Sequence, residues 1–118
     1  EEGVAYLRRA IDIERREATV AWLQGALAVG LFVAGEPAQA LGAVDLAMRT
    51  GRPLPEFGLV RTALLEELGR HDEAAAELAL LARKHPDMTL GKIRLPPFAG
   101  ARHRSRFTDD LRAAGLPE

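Results

Sequence analysis

The chain has 118 residues, 47% of them hydrophobic and 28% charged, which suits one compact core and leaves little room for a second. Its formal net charge is -1, so overall charge selects neither a polyanion nor an anionic membrane, and any electrostatic partner must be met locally. It contains no cysteine, which excludes thiol catalysis, disulfides and cysteine-ligated zinc together, and a cytoplasmic setting is the default.

From Val4 to about Glu17, the apolar residues Val4, Leu7, Ala10, Ile11 and Ile13 recur at helical spacing. Arg8, Arg9, Asp12, Glu14, Arg15 and Arg16 lie between them, the pattern of an amphipathic helix. Ala18 to Gly35 then runs for 18 residues without a charge, close in length to a membrane span. Thr19, Gln24, Gly25, Gly30 and five alanines make it too weakly apolar for that role, and a central packed helix ending at Gly35 is expected instead.

A third helix is expected from about Ala38 to Thr50, after Pro37, with Leu41, Val44 and Met48 on one face and Ala40 and Ala47 beside them. It should break at Gly51 and Pro53, and a fourth should run from about Glu56 to Leu68. After Gly69, Asp72 is placed to cap a fifth helix that carries Ala75, Leu78, Leu81 and Ala82 inward and stops before Pro86. Met88 to Leu95 reads as a short helical turn capped by Thr89, and Pro96-Pro97 as an extended bend. A last helix from about Ser105 to Ala114 presents Phe107, Leu111 and Ala114 on one face and ends at Gly115.

Aligned at an offset of 34 residues, Leu27–Thr50 and Arg61–Lys84 share Leu31/Leu65, Gly35/Gly69, Ala40/Ala74, Leu46/Leu80 and Arg49/Arg83. That period, with glycine at the corner and alanine at the seam between helices, resembles the tetratricopeptide repeat. Ala40 and Ala74 fall on the repeat's small-residue position, Ala47 and Leu81 on its next packing position, and Pro86 on its proline. Gln24 and Gly58 stand where the repeat carries an aromatic, with Trp22 and Phe57 nearby. The end of the chain has a narrower likeness. Pro86-Asp87-Met88-Thr89-Leu90, Pro97-Phe98 and Ala114-Gly115-Leu116-Pro117 resemble the C-terminal tails of tetratricopeptide regions attached to bacterial class III adenylate cyclases and winged-helix transcription regulators.

The resemblance implies an all-α fold: a right-handed stack of about two and a half antiparallel helix hairpins. Its parts are a half hairpin over 1–17, repeats over 18–51 and 53–86, and a capping segment over 87–118. The capping helix, anchored by Phe98, Phe107 and Leu111, should lie across the fifth helix and hide Leu78 and Leu81. The opening on Glu1 and Glu2, with only half a hairpin, suggests a fragment of a longer protein. Val4, Leu7 and Ile11 would then form a partly open edge suited to self-association.

The side chains offer no catalytic apparatus. His71, His85 and His103 have no two members three or four residues apart on one helix, so no metal or other cofactor is expected. His71 is expected to wedge between hairpins and His85 to cap a helix end. Asp109-Asp110 and Glu66-Glu67 are adjacent, and adjacent side chains on a helix diverge by about 100°. Ser105 has no neighbouring base, and phosphate-binding glycine loops are missing, so no small-molecule substrate is expected.

Function is therefore expected to be binding, by a non-enzymatic module for protein or peptide partners or for dimerisation, and the resemblance implies the regulatory C-terminal region of a bacterial signalling protein. The helices that line the inner face of such stacks place Trp22, Gly25, Val29 and Phe32 beside Glu56, Leu59, Ala63 and Glu66. Of these, Trp22, Val29, Phe32, Leu59 and Glu66 are the candidate partner-binding residues, with aromatic anchors supplying most of the affinity. One alternative is the regulatory part of a nucleotide cyclase whose catalytic domain lies upstream. Another is nucleic-acid contact through a basic loop over 83–106, notably Arg102, Arg104 and Arg106. Phe98 and Phe107 there are better read as core anchors than as base-stacking aromatics.

Overall fold

The computed structural model describes residues 2–13, 17–50, 54–96 and 100–118, with the side chains of residues 12, 13, 17–19 and 50 outside the description. The expected break at Gly51 and Pro53, the charges of Glu14, Arg15 and Arg16, Pro97 and the Phe98 anchor all lie outside the described residues. Among those described there are six helices and no strand: α1 (Glu2–Ile13), α2 (Glu17–Val33), α3 (Pro37–Thr50), α4 (Pro55–Glu67), α5 (His71–Lys84) and α6 (Ala101–Ala114). None is long and apolar enough to cross a membrane.

The charge-free run becomes α2 because that helix is surrounded. It packs on α1, α3 and α4, and buries Leu23, Leu27, Ala28, Leu31 and Phe32 on several faces. On α3, Ala40, Val44 and Ala47 are fully buried and Leu41 nearly so. Val4, Leu7 and Ile11 of α1 are half-buried against the same core.

The two corners set 34 residues apart have matching hydrogen bonds. At the first, Gly35 N–H donates to the Phe32 carbonyl at 3.2 Å and Glu36 N–H to the Leu31 carbonyl at 2.9 Å. At the second, Gly69 N–H donates to Glu66 at 3.0 Å and Arg70 N–H to Leu65 at 2.8 Å. This is the two-bond termination that needs a left-handed residue, and glycine supplies it with φ of 78° at Gly35 and 75° at Gly69. The following helices restart alike: Ala40 N–H donates to Glu36 and Ala74 N–H to Arg70, each at 3.0 Å, and both alanines are wholly buried. Small side chains at these two points let α3 and α5 approach the preceding helix closely. The same termination recurs at Gly115, where Leu116 N–H donates to the Leu111 carbonyl at 3.0 Å.

α4 is the second hub. Pro55 occupies its first position after the extended Leu54, and Gly58, Leu59, Val60, Thr62, Ala63, Leu64 and Leu65 are all buried. It packs on α3, α5, α6 and, less extensively, α2. Arg61 ties three helices together, its Nε 2.8 Å from Asp45 Oδ1 on α3 and its Nη1 2.8 Å from Glu77 Oε1 on α5. Thr62, buried in the same helix, satisfies its hydroxyl by donating to the Gly58 carbonyl at 2.8 Å.

Several expectations are corrected. α6 begins at Ala101, four residues before Ser105, so the basic cluster is the first half of a helix and not a loop. It packs chiefly on α4 and only slightly on α5, with Phe107 set edge-on against Phe32 of α2 and Leu111 buried in the same core. Leu78 and Leu81 are buried, but Leu81 lies against Gly58 of α4. The inward face of α5 is Ala74, Leu78 and Leu81, with Ala75 and Ala82 exposed. Arg70, not Asp72, is the cap residue of α5, and it makes no side-chain capping bond. The short helical turn expected over Met88 to Leu95 is narrower, with Lys92 and Ile93 N–H both donating to the Thr89 carbonyl at 3.1 Å, and a separate turn closed by Met88 N–H on the His85 carbonyl at 3.0 Å precedes it. His71 is 68% exposed and pairs with Glu66 at 2.7 Å, because the corner turns its ring outward instead of between hairpins. His85 does end a helix, donating its N–H to the Leu81 carbonyl at 2.8 Å.

Candidate functional site

A large aromatic side chain in water needs an explanation when the chain has one tryptophan and spends most apolar residues on its core. Trp22 is 64% exposed, and Leu54, at the cap of α4, is 41% exposed. Both line a groove of about 550 Å³ between α2, the start of α4 and residues 94–96.

One wall comes from α2, where Trp22, Ala26 and Val29 are spaced by four and three residues and so share a face. The other comes from Phe57 and Val60 of α4, with Leu95 and Pro96 closing one end. Gly25 shapes the floor. A Cβ built on it would stand 2.3 Å from Cε1 of Phe57, so the missing side chain is what lets the phenyl ring lie against α2. Glu56 and Arg94 sit where this groove meets a smaller recess of about 400 Å³ that extends to His85 and Met88. The lining is mostly apolar with two charges at one end, an arrangement that can hold aliphatic or aromatic groups but offers no nucleophile with a base. Among the described residues, no group of three or more His, Asp or Glu side chains could hold a metal ion.

The structure divides the sequence candidates. Trp22 and Val29 are brought together at the groove. Phe32 is 1% exposed and belongs to the core, its ring in an edge-on contact with Phe107 at 5.8 Å. At about 100° per residue, Phe32 lies about 80° around α2 from Trp22, enough to turn it under α6. Leu59 is also buried in the core, at the edge of the smaller recess beside His85 and Met88. Glu66 is nearly buried and engaged by His71. Phe32, Leu59 and Glu66 are thus removed from the partner-binding strip by burial. Arg102 and Arg104 lie on the exposed side of α6, whereas Arg106 is engaged internally by Phe32 and Glu67.

Leu54, Phe57, Leu95 and Pro96 were not expected as site residues. A signal existed for Phe57, a bulky aromatic in the repeat that follows a glycine at Gly25. Leu95 and Pro96 come to the groove by a chain path that no helical periodicity encodes.

Comparisons with known protein families, with curated proteins and with solved structures give no match to this chain.

Proposed function

We propose that this chain is a non-enzymatic interaction module that takes a short apolar segment of a protein partner into the groove beside Trp22. The observation that carries the reading is the solvent-exposed Trp22 at the mouth of an apolar groove on a rigid two-helix wall. In this reading the fold is a short, right-handed stack of tetratricopeptide-like hairpins closed by α6. The matching corners at Gly35 and Gly69 and the equal burial of Ala40 and Ala74 support it. By its tail, such a module belongs to the regulatory C-terminal region of a bacterial signalling protein. The groove's size argues for a peptide over a second copy. About 550 Å³ accommodates a few side chains, whereas a stable dimer buries about 800 Å² on each partner.

The test is selection of short peptides on the immobilised protein, followed by calorimetric titration of the winners. Trp22→Ala should weaken binding by about thirtyfold, the effect of losing an aromatic anchor worth about 2 kcal/mol, with the helical circular dichroism unchanged. Val29→Glu should do the same by placing a charge in an apolar wall. Peptides that bind both folded variants as tightly as the parent protein would exclude the groove.

A further inference from the structure

The seam between α4 and α6 holds charges that the groove does not use. Asp110 lies on the face of α6 that meets α4, and its Oδ2 is buried without a hydrogen-bond partner. Glu67 faces it from α4, with Glu66 beside that residue. From the start of α5, His71 Nδ1 reaches Glu66 at 2.7 Å, and α2 contributes Phe32. The cation at the pair is Arg106. Its Nε is 3.3 Å from Glu67 Oε1, an ion pair without the alignment of a hydrogen bond. Its Nη2 donates to the Phe32 carbonyl, and the guanidinium lies 4.0 Å over the Phe32 ring. One guanidinium, already committed to Phe32, therefore serves two carboxyl groups in a partly desolvated seam. Both carboxyls cannot be ionised there without repulsion.

The end of α6 carries this seam to the groove. Arg112 holds Glu118 at 2.7 Å, and the tail carbonyls of Pro117 and Glu118 accept from the N–H groups of Leu90 and Gly91 at 2.8 and 3.3 Å. Three residues beyond Gly91 the chain becomes the groove wall at Arg94, Leu95 and Pro96.

We propose that α6 is a proton-controlled latch, docked on α4 while the Asp110 carboxyl keeps a proton it donates to Glu67, loosened as that proton leaves, and joined through the C-terminal tail to the groove wall. The consequence at the groove rests on the binding reading above; the latch itself does not. Burial first, and then the neighbouring Glu67, raise Asp110 from its ordinary 3.8 to about 8. A raised value in the docked state means that docking is strongest at acid pH and is lost as pH rises through about 8. A single linked proton gives about a tenfold loss of docking between about pH 7 and about pH 9.

Hydrogen exchange of the whole chain without peptide, corrected for the intrinsic rate at each pH, tests this. Protection of the α6 amides and of Leu90 and Gly91 should fall together by about tenfold over that range, while α3 changes little. Asp110→Asn, which keeps the donor and removes the titration, should flatten the profile, and His103→Gln, at the α6 imidazole whose Nδ1 is also buried, should leave the slope intact. A flat wild-type profile, an unchanged slope in Asp110→Asn, or a slope abolished by His103→Gln would each overturn the latch. Should Asp110→Asn not fold, carbon-13 titration of the wild-type Asp110 carboxyl decides: a midpoint in the ordinary carboxylate range refutes the proposal. Peptide affinity that ignores pH while α6 responds would sink only the link to the groove.

Discussion

Replacing Gly25 by alanine should destabilise the protein, although alanine is the better helix former. In an unopposed helix interior the change is worth about 1 kcal/mol in favour of alanine. Here the new Cβ would stand 2.3 Å from Cε1 and 2.9 Å from Cζ of Phe57, closer than carbon atoms tolerate. Either α2 and α4 separate or the ring swings into the groove, and overpacking of this kind costs about 1–3 kcal/mol. The net expectation is a loss of about 0–2 kcal/mol. In a Phe57→Ala background the obstruction is gone, and the same Gly25→Ala change should stabilise by about 1 kcal/mol. The sign reversal is the diagnostic. Urea denaturation followed by helical circular dichroism measures all four corners of the cycle, with an expected coupling of about 1–3 kcal/mol. If Gly25→Ala stabilises equally with and without Phe57, the close approach of α2 and α4 does not exist as described.

Substitutions at the corners and at Arg61 probe the frame that holds the groove. Gly35→Ala and Gly69→Ala meet no neighbouring atom within 4 Å, so each should cost only the left-handed backbone penalty of about 1–2 kcal/mol. The two losses, read by the same urea titration, should agree within about 0.5 kcal/mol, and a neutral result at either would break the equivalence of the corners. Arg61→Ala should cost about 1–3 kcal/mol by leaving the largely buried Glu77 without its cation. Arg61→Lys should recover only part of this, because a single ammonium cannot reproduce the fork that reaches Asp45 and Glu77 together. A loss at Arg61→Ala within the error of the measurement would show the bridge to be a screened surface pair.

Helices were legible wherever local chemistry decides. Pro37 and Pro55 each open a helix, and Gly35, Gly69 and Gly115 each stand just past the end of one with positive φ. The spacing of Phe107, Leu111 and Ala114 correctly marked the buried face of α6. The candidate site was legible only in part. Trp22 and Val29, taken from the inner-face positions of the repeat register, both line the groove because seven residues bring a helix back to nearly the same face. Phe32 was misread because, from spacing alone, the flank of that face is indistinguishable from its centre. The basic cluster misled for a related reason: Arg102, Arg104 and Arg106 look like a solvated run, and nothing local reveals that Arg106 stacks on a ring 74 residues away.

What the sequence by itself determined is the alternation of helices and corners, since propensity, proline, glycine and apolar period all act within a few residues of one another. The tertiary structure alone decided which helix α6 covers. That choice set Phe107 against Phe32 and Asp110 against Glu67, and left Trp22 outside with Leu95 and Pro96 beside it. The physical reason is that burial is a sum over contacts from distant parts of the chain. A side chain's fate depends on what else fills the space beside it, which no local pattern records.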